Sequence, residues 1–159
     1  MKSGVRDMPK RLRYRFSSIL SAALAFWCLS TPSVAQQCSQ GVMVVGGRPM
    51  TCPAMICWAP ALDDVARGGP GQILLHPRFG GFPTSVQQFV FAHECAHVQG
   101  IMDEQAADCQ AICWSKQVGA LTPQVLQQIC QSVLLTPGDW THFPGPARCS
   151  IMGACYRSC

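Results

Sequence analysis

At 159 residues the chain has room for one domain, and its first 35 residues read as a secretory signal that is not part of it. This segment holds six of the twelve basic side chains (Lys2, Arg6, Lys10, Arg11, Arg13 and Arg15), then an apolar run from Phe16 to Leu29, then Ser33-Val34-Ala35, a small-x-small cleavage pattern before Gln36. Residues 36–159 are left with six basic and seven acidic side chains, a net charge of −1, which excludes the basic stripe that a nucleic-acid or anionic-membrane partner would need.

The apolar run is shorter than the about 20 residues a membrane helix needs, so no membrane association is expected after signal cleavage. Cys28 leaves with the signal. The ten remaining cysteines form an even set, the pattern of a disulfide framework in an oxidising, periplasmic or extracellular compartment. Five bridges would each contribute about 2 to 4 kcal/mol to a core that is marginal at this size. No paired Cys-x-x-Cys knuckles suggest a cysteine metal site, and spacing leaves the connectivity open.

In chain order, residues 36 to 71 are rich in Gly, Pro and Cys and read as loops, with one short strand over Gly41 to Val45 and a turn of helix near Leu62 to Ala66. Gly71 to His76 is a better strand candidate, closed by Pro77. Pro83 opens the first clear helix, where Val86, Phe89, Val90, His93 and His97 recur at three- and four-residue spacing, and Gly100 ends it. Asp103 is the expected N-cap of a second helix reaching Gln117 or Val118. Thr122-Pro123 starts a third that runs to about Leu134. From Thr136 to Cys159 the composition returns to Pro, Gly and Cys, and the tail reads as loop.

The first helix contains His93-Glu94-Cys95-Ala96-His97. Histidines one turn apart share a helix face and present two imidazoles to one zinc ion, and the glutamate between them is placed to take a proton from water. From this chain's own composition the pattern arises by chance about once in a thousand such sequences. The only other glutamate, Glu104, stands one turn before Asp108 at the start of the second helix, so the two carboxylates face the same way. If the chain turns back at Gly100, Glu104 completes a His, His, Glu site with one position open, and Asp108 accepts an N–H bond from a ligating histidine. Cys95 points away from the histidine face, toward a disulfide or the core. His76 reads as a strand-end side chain, and Trp58, Trp114 and Trp140 as core anchors.

His93-Glu94-Cys95-Ala96-His97 followed by Glu104-Gln105-Ala106-Ala107-Asp108 resembles the gluzincin metallopeptidases, in particular the HtpX and CaaX prenyl protease family. Trp140 to Arg148 resembles that family's Thr-His-Pro segment, with an arginine six positions after the histidine. The resemblance covers roughly residues 72 to 151. It implies that His93, His97 and Glu104 are zinc ligands, Glu94 the general base and Asp108 a partner behind a ligand, with His142 and Arg148 stabilising the oxyanion. It also implies an edge strand just upstream of the zinc helix, here Ile73 to His76, as the rim for an extended peptide. The chain departs from the family in its many cysteines and in having only six residues between His97 and Glu104.

A second metal assignment stays open. The same segment resembles the metzincin spacing of snapalysin-like proteases, with Asp103 as third ligand and Ser150-Ile151-Met152-Gly153 as a Met-turn. Glu104 is preferred because only that assignment also employs Asp108, His142 and Arg148.

The sequence therefore predicts a single α+β domain over residues 36–159, mainly helical and disulfide-rich, with a zincin-like helix hairpin and a short edge strand. Its expected role is a periplasmic or secreted zinc metallopeptidase acting on a peptide or protein. The alternative is a disulfide-rich binding or structural module whose metal is absent or non-catalytic, with His142 closing the coordination shell.

Overall fold

The computed structural model describes residues 37–139 and 142–159. The expected signal segment with its cleavage site, and Trp140, lie outside the described residues. Four strands come first, β1 (Cys38–Val45), β2 (Arg48–Trp58), β3 (Ala66–Gly69) and β4 (Gln72–Leu75). A 3-10 turn over Pro77–Gly81 follows, then four helices, α1 (Thr84–Val98), α2 (Glu104–Gln117), α3 (Pro123–Val133) and α4 (Gly145–Ser158). The class is α+β.

The strands form one mixed sheet in the order β1-β2-β4-β3, with β2 and β4 parallel and the other two pairs antiparallel. β2 is the longest strand and belongs to a stretch that the sequence presents as loop, because Pro49 and Pro53 are strand breakers. Both are tolerated for a local reason: β4 pairs only with Met55 to Trp58, so the first half of β2 has a partner on one side alone, and Pro53 faces the irregularity where β1 shifts register between Gln40 and Val42. The expected helical turn near Leu62 to Ala66 is absent; these residues bend into β3 instead. β4 is not the sheet edge that the sequence suggested for Ile73 to His76. It is covered on one side by β2 and on the other by β3, which is the edge.

α1 is the axis of the domain. Its one side packs Phe91 and Cys95 on the sheet core of Val45, Met50, Ile56, Ile73, Leu75 and Phe79. Its other side packs Val86, Phe89 and Ala92 against Ala111 and Ile112 of α2, Ile129 of α3 and Met152 of α4. A helix buried on both flanks needs no continuous polar face, and the burial of His93, Glu94 and His97 among these apolar contacts is what makes them conspicuous. Asp103 caps α2 by accepting from the Ala106 N–H at 2.8 Å, and Thr122 caps α3 through the Val125 N–H, as the sequence predicts.

α4 replaces the expected C-terminal loop. Pro146 falls in its first turn, where its missing N–H costs nothing. Two bridges, Cys109–Cys155 and Cys113–Cys159, fasten it to α2 with the same separation of 46 residues, so the two helices run in the same direction. Because residues 150–153 lie inside α4, they form no Met-turn, and the metzincin assignment loses that element. Cys38–Cys57 joins β1 to β2, and Cys52–Cys95 ties β2 to α1 beside Glu94. Four of the five expected bridges are therefore in place, with Cys130 and Cys149 as thiols. Among the described residues, no helix is long and apolar enough to cross a membrane.

Candidate metal centre

Three side chains from the facing ends of α1 and α2 converge. His93 Nε2 lies 3.0 Å from His97 Nε2 and 3.0 Å from Glu104 Oε2, and His97 Nε2 lies 3.4 Å from the same oxygen. The turn through Gly100 that the sequence anticipated does bring the start of α2 back onto the last turn of α1. Both histidines are buried.

The protons on these rings follow from their other contacts. His97 Nδ1 sits 2.7 Å from the Ile101 carbonyl, which can only accept, so Nδ1 carries the hydrogen and Nε2 a lone pair. His93 Nδ1 meets the Asp108 carboxylate at 2.8 Å and is the donor there. In the neutral tautomers two lone pairs and a carboxylate oxygen point into one small space with no hydrogen between them. Glu104 Oε2 is buried and makes no well-formed hydrogen bond, although three imidazole nitrogens lie within 3.4 Å.

A cation would satisfy all three donors at once. Ligands about 2.0 to 2.1 Å from a tetrahedral ion stand about 3.3 Å apart, close to the separations found here. His93, His97 and Glu104 thus constitute a possible metal-binding group. Without a metal the proton is the competing cation: burial disfavours a charged His93, but the Asp108 and Glu104 carboxylates outweigh burial and its pKa is raised to about 9.

The chain supports these ligands from behind. Asp108 is almost fully buried and receives Arg148 Nε at 2.6 Å and Nη2 at 2.7 Å, a bidentate pair. Burial raises the Asp108 pKa, yet Arg148 and His93 together hold it below the ordinary carboxylate range. Both guanidinium hydrogen bonds go to Asp108, so Arg148 braces Asp108 and, through it, His93.

Glu94 is buried beside the histidines, and burial pushes its carboxyl above the ordinary range even though His93 and the Gly68 N–H act the other way. That N–H, from edge strand β3, donates to Glu94 Oε2 at 2.5 Å. The approach is possible only because residue 68 is glycine, since a Cβ there would lie 2.2 Å from the Glu94 carbonyl oxygen. Nothing in the pattern around Gly68 advertises this role from sequence. It becomes visible only when β3 is laid against α1.

His142 reaches the group from the loop between α3 and α4, its Nε2 2.8 Å from Glu104 Oε2. Asp139 shapes that loop by accepting from the His142 backbone N–H at 2.8 Å. His142 stands beside the group of three without belonging to it. Asp103 is occupied as the α2 cap and is not brought to the histidines. His76 caps the 3-10 turn by accepting from the Arg78 N–H, Cys95 is in its bridge, and Trp58 and Trp114 pack on the sheet core.

The group opens into a cavity of about 670 Å³ walled by β3, α1, Met102, Ser132, Val133 and residues 136–139, with Glu94, His142 and Arg148 also on its surface. A second cavity, of about 40 Å³ between Met50, Phe91 and Trp114, has room for little more than water. Comparison of the chain with models of known protein families, with curated proteins and with solved structures finds no match.

Proposed function

We propose that the protein is a secreted or periplasmic zinc-dependent metallopeptidase with a zincin-like arrangement of α1 and α2. The observation that carries this reading is the convergence of three ligand-type atoms, His93 Nε2, His97 Nε2 and Glu104 Oε2, beside the buried carboxylate of Glu94 in a cavity large enough for a peptide segment. Nitrogen and oxygen donors in this number suit Zn2+ with one position open, and the four bridges suit an oxidising compartment. When bound, zinc supplies Lewis-acid chemistry, acidifying a water molecule and polarising a carbonyl oxygen.

The remaining work falls to the chain. The Gly68 N–H occupies Glu94 Oε2 and leaves Oε1 as the atom that accepts a proton from water and returns it to the departing amine. The raised Glu94 pKa brings this base toward neutrality, where proton transfer in both directions is efficient. His142 provides the hydrogen-bond donor for the oxyanion. Asp108 and Arg148 keep His93 in the tautomer that presents Nε2. Edge strand β3 offers backbone groups along the cavity to which an extended peptide adds as a further strand.

Glu94→Gln tests the assignment. It should keep one zinc per chain and lose hydrolysis of a peptide library, whereas equal hydrolysis by the two forms would remove Glu94 from the mechanism. Zinc with no hydrolysis in either form would leave a binding or structural module.

A further inference from the structure

We propose that Cys130 of α3 and Cys149 of α4 are the site of a fifth, reversible disulfide that clasps the two ends of the loop carrying His142. The helices meet at the start of α4, where a Cβ on Gly145 would fall 2.0 Å from the Val133 carbonyl oxygen and 2.7 Å from that of Leu134, and where the Gly145 N–H donates to Thr136 O at 3.0 Å. From that crossing α4 followed forward and α3 followed backward lie side by side, so the two helices are antiparallel here. Four residues on along α4 is Cys149, and four residues back along α3 from Leu134 is Cys130, one helical turn in each case. The two thiols are near enough to act on one another, and burial together with Cys149 pushes the Cys130 thiol up to about 12. Both are half-buried and so remain open to a small thiol reagent.

The position gives the pair its consequence. Between the helices, Leu134, Leu135, Thr136, Pro137 and Asp139 are exposed, so among the described residues little apolar burial holds the chain that leads to His142. Arg148 is the residue next to Cys149, and it anchors Asp108 behind His93. A bond from Cys130 to Cys149 would fix both arms at once by denying the loop its open conformations. In the reaction each thiol gives up one proton and one electron and the Sγ–Sγ bond forms. A small-molecule disulfide such as oxidised glutathione takes both protons and both electrons as its own S–S bond breaks, and leaves as two thiols.

The pairing stands apart from the proposed hydrolysis, and only its effect on the site rests on the metal reading. The purified protein is equilibrated with oxidised glutathione and digested without reduction. A peptide pair linked through Cys130 and Cys149 is expected, while two alkylatable thiols at these positions, or either one bonded elsewhere, would overturn the pairing. Limited proteolysis within residues 134–144 then compares the oxidised protein with the mildly reduced protein and with C130A/C149A. Cleavage about tenfold faster in both open forms is expected, and equal rates would overturn the clasp. If zinc is present, its loss to a chelator should quicken by about tenfold in the open forms. If no zinc binds at all, the metallopeptidase reading fails while the digest and the proteolysis still decide the disulfide.

Discussion

The candidate centre is assembled from two regions built in different ways. The α1–α2 half supplies His93, His97, Glu104, Glu94 and Asp108 from regular helix, almost all buried, with caps and a bridge at hand. The other half supplies Gly68 from a four-residue edge strand, through its backbone N–H on Glu94, and His142 from an exposed loop, through its ring beside Glu104 and His93. On the proposed reading the first half fixes where a cation sits, and the second, together with Glu94, decides what happens next to it. Damage to the first half, Glu94 apart, should therefore cost metal and fold together, and damage to Glu94 or to the second half should cost chemistry while the metal stays.

The largest effect is expected at the joint of the buried half. Asp108→Ala leaves the Arg148 guanidinium unpaired and His93 without its hydrogen-bond acceptor. It should lower stability by about 3 to 5 kcal/mol in denaturant unfolding and weaken zinc binding by about 10- to 100-fold. A change below about 1 kcal/mol would mean that the pair is not the support described.

Next comes His142→Ala, which should retain zinc and melt close to the parent while the proposed hydrolysis falls by about 100-fold. Loss of zinc in this variant would instead make His142 a ligand and erase the division between the two halves. Gly68→Ala sharpens the same boundary. Its Cβ would force β3 off α1 at Glu94, so a destabilisation of about 1 to 3 kcal/mol is expected, with zinc content unchanged and the proposed hydrolysis reduced. The smallest effect belongs to Asp103→Ala, where losing the α2 cap should cost about 1 kcal/mol and no zinc.

The same contrast explains what could be read from the sequence. Helices α1, α2 and α3 were legible because their signals are local: Pro83, Asp103 and Thr122 at the starts, Gly100 and Gly119 at the ends, and a turn-spaced ligand pattern within. The His93, His97 and Glu104 group was legible for the same reason, since i,i+4 spacing plus one reversal suffices to bring it together. β2 and α4 were hidden because Pro49, Pro53, Pro146 and Gly153 carry breaker signals that tertiary context overrides, through one-sided strand pairing in β2 and two bridges to α2 in α4. Nothing local marks β3, so the sequence points to β4 as the edge strand. The Gly68 contact had no local signal at all, being a close approach between segments 26 residues apart. Arg148 was picked out in the sequence, but its partner was fixed only by α4 lying along α2.

The central claim is that His93, His97 and Glu104 hold one zinc ion. It is tested most directly by elemental analysis of the purified, oxidised protein prepared without added metal or chelator, alongside Glu104→Ala and Asp103→Ala. The account predicts one zinc per chain in the parent and in Asp103→Ala, and none in Glu104→Ala. A parent chain that holds no zinc and takes up none on addition, or a zinc content indifferent to Glu104, would contradict it.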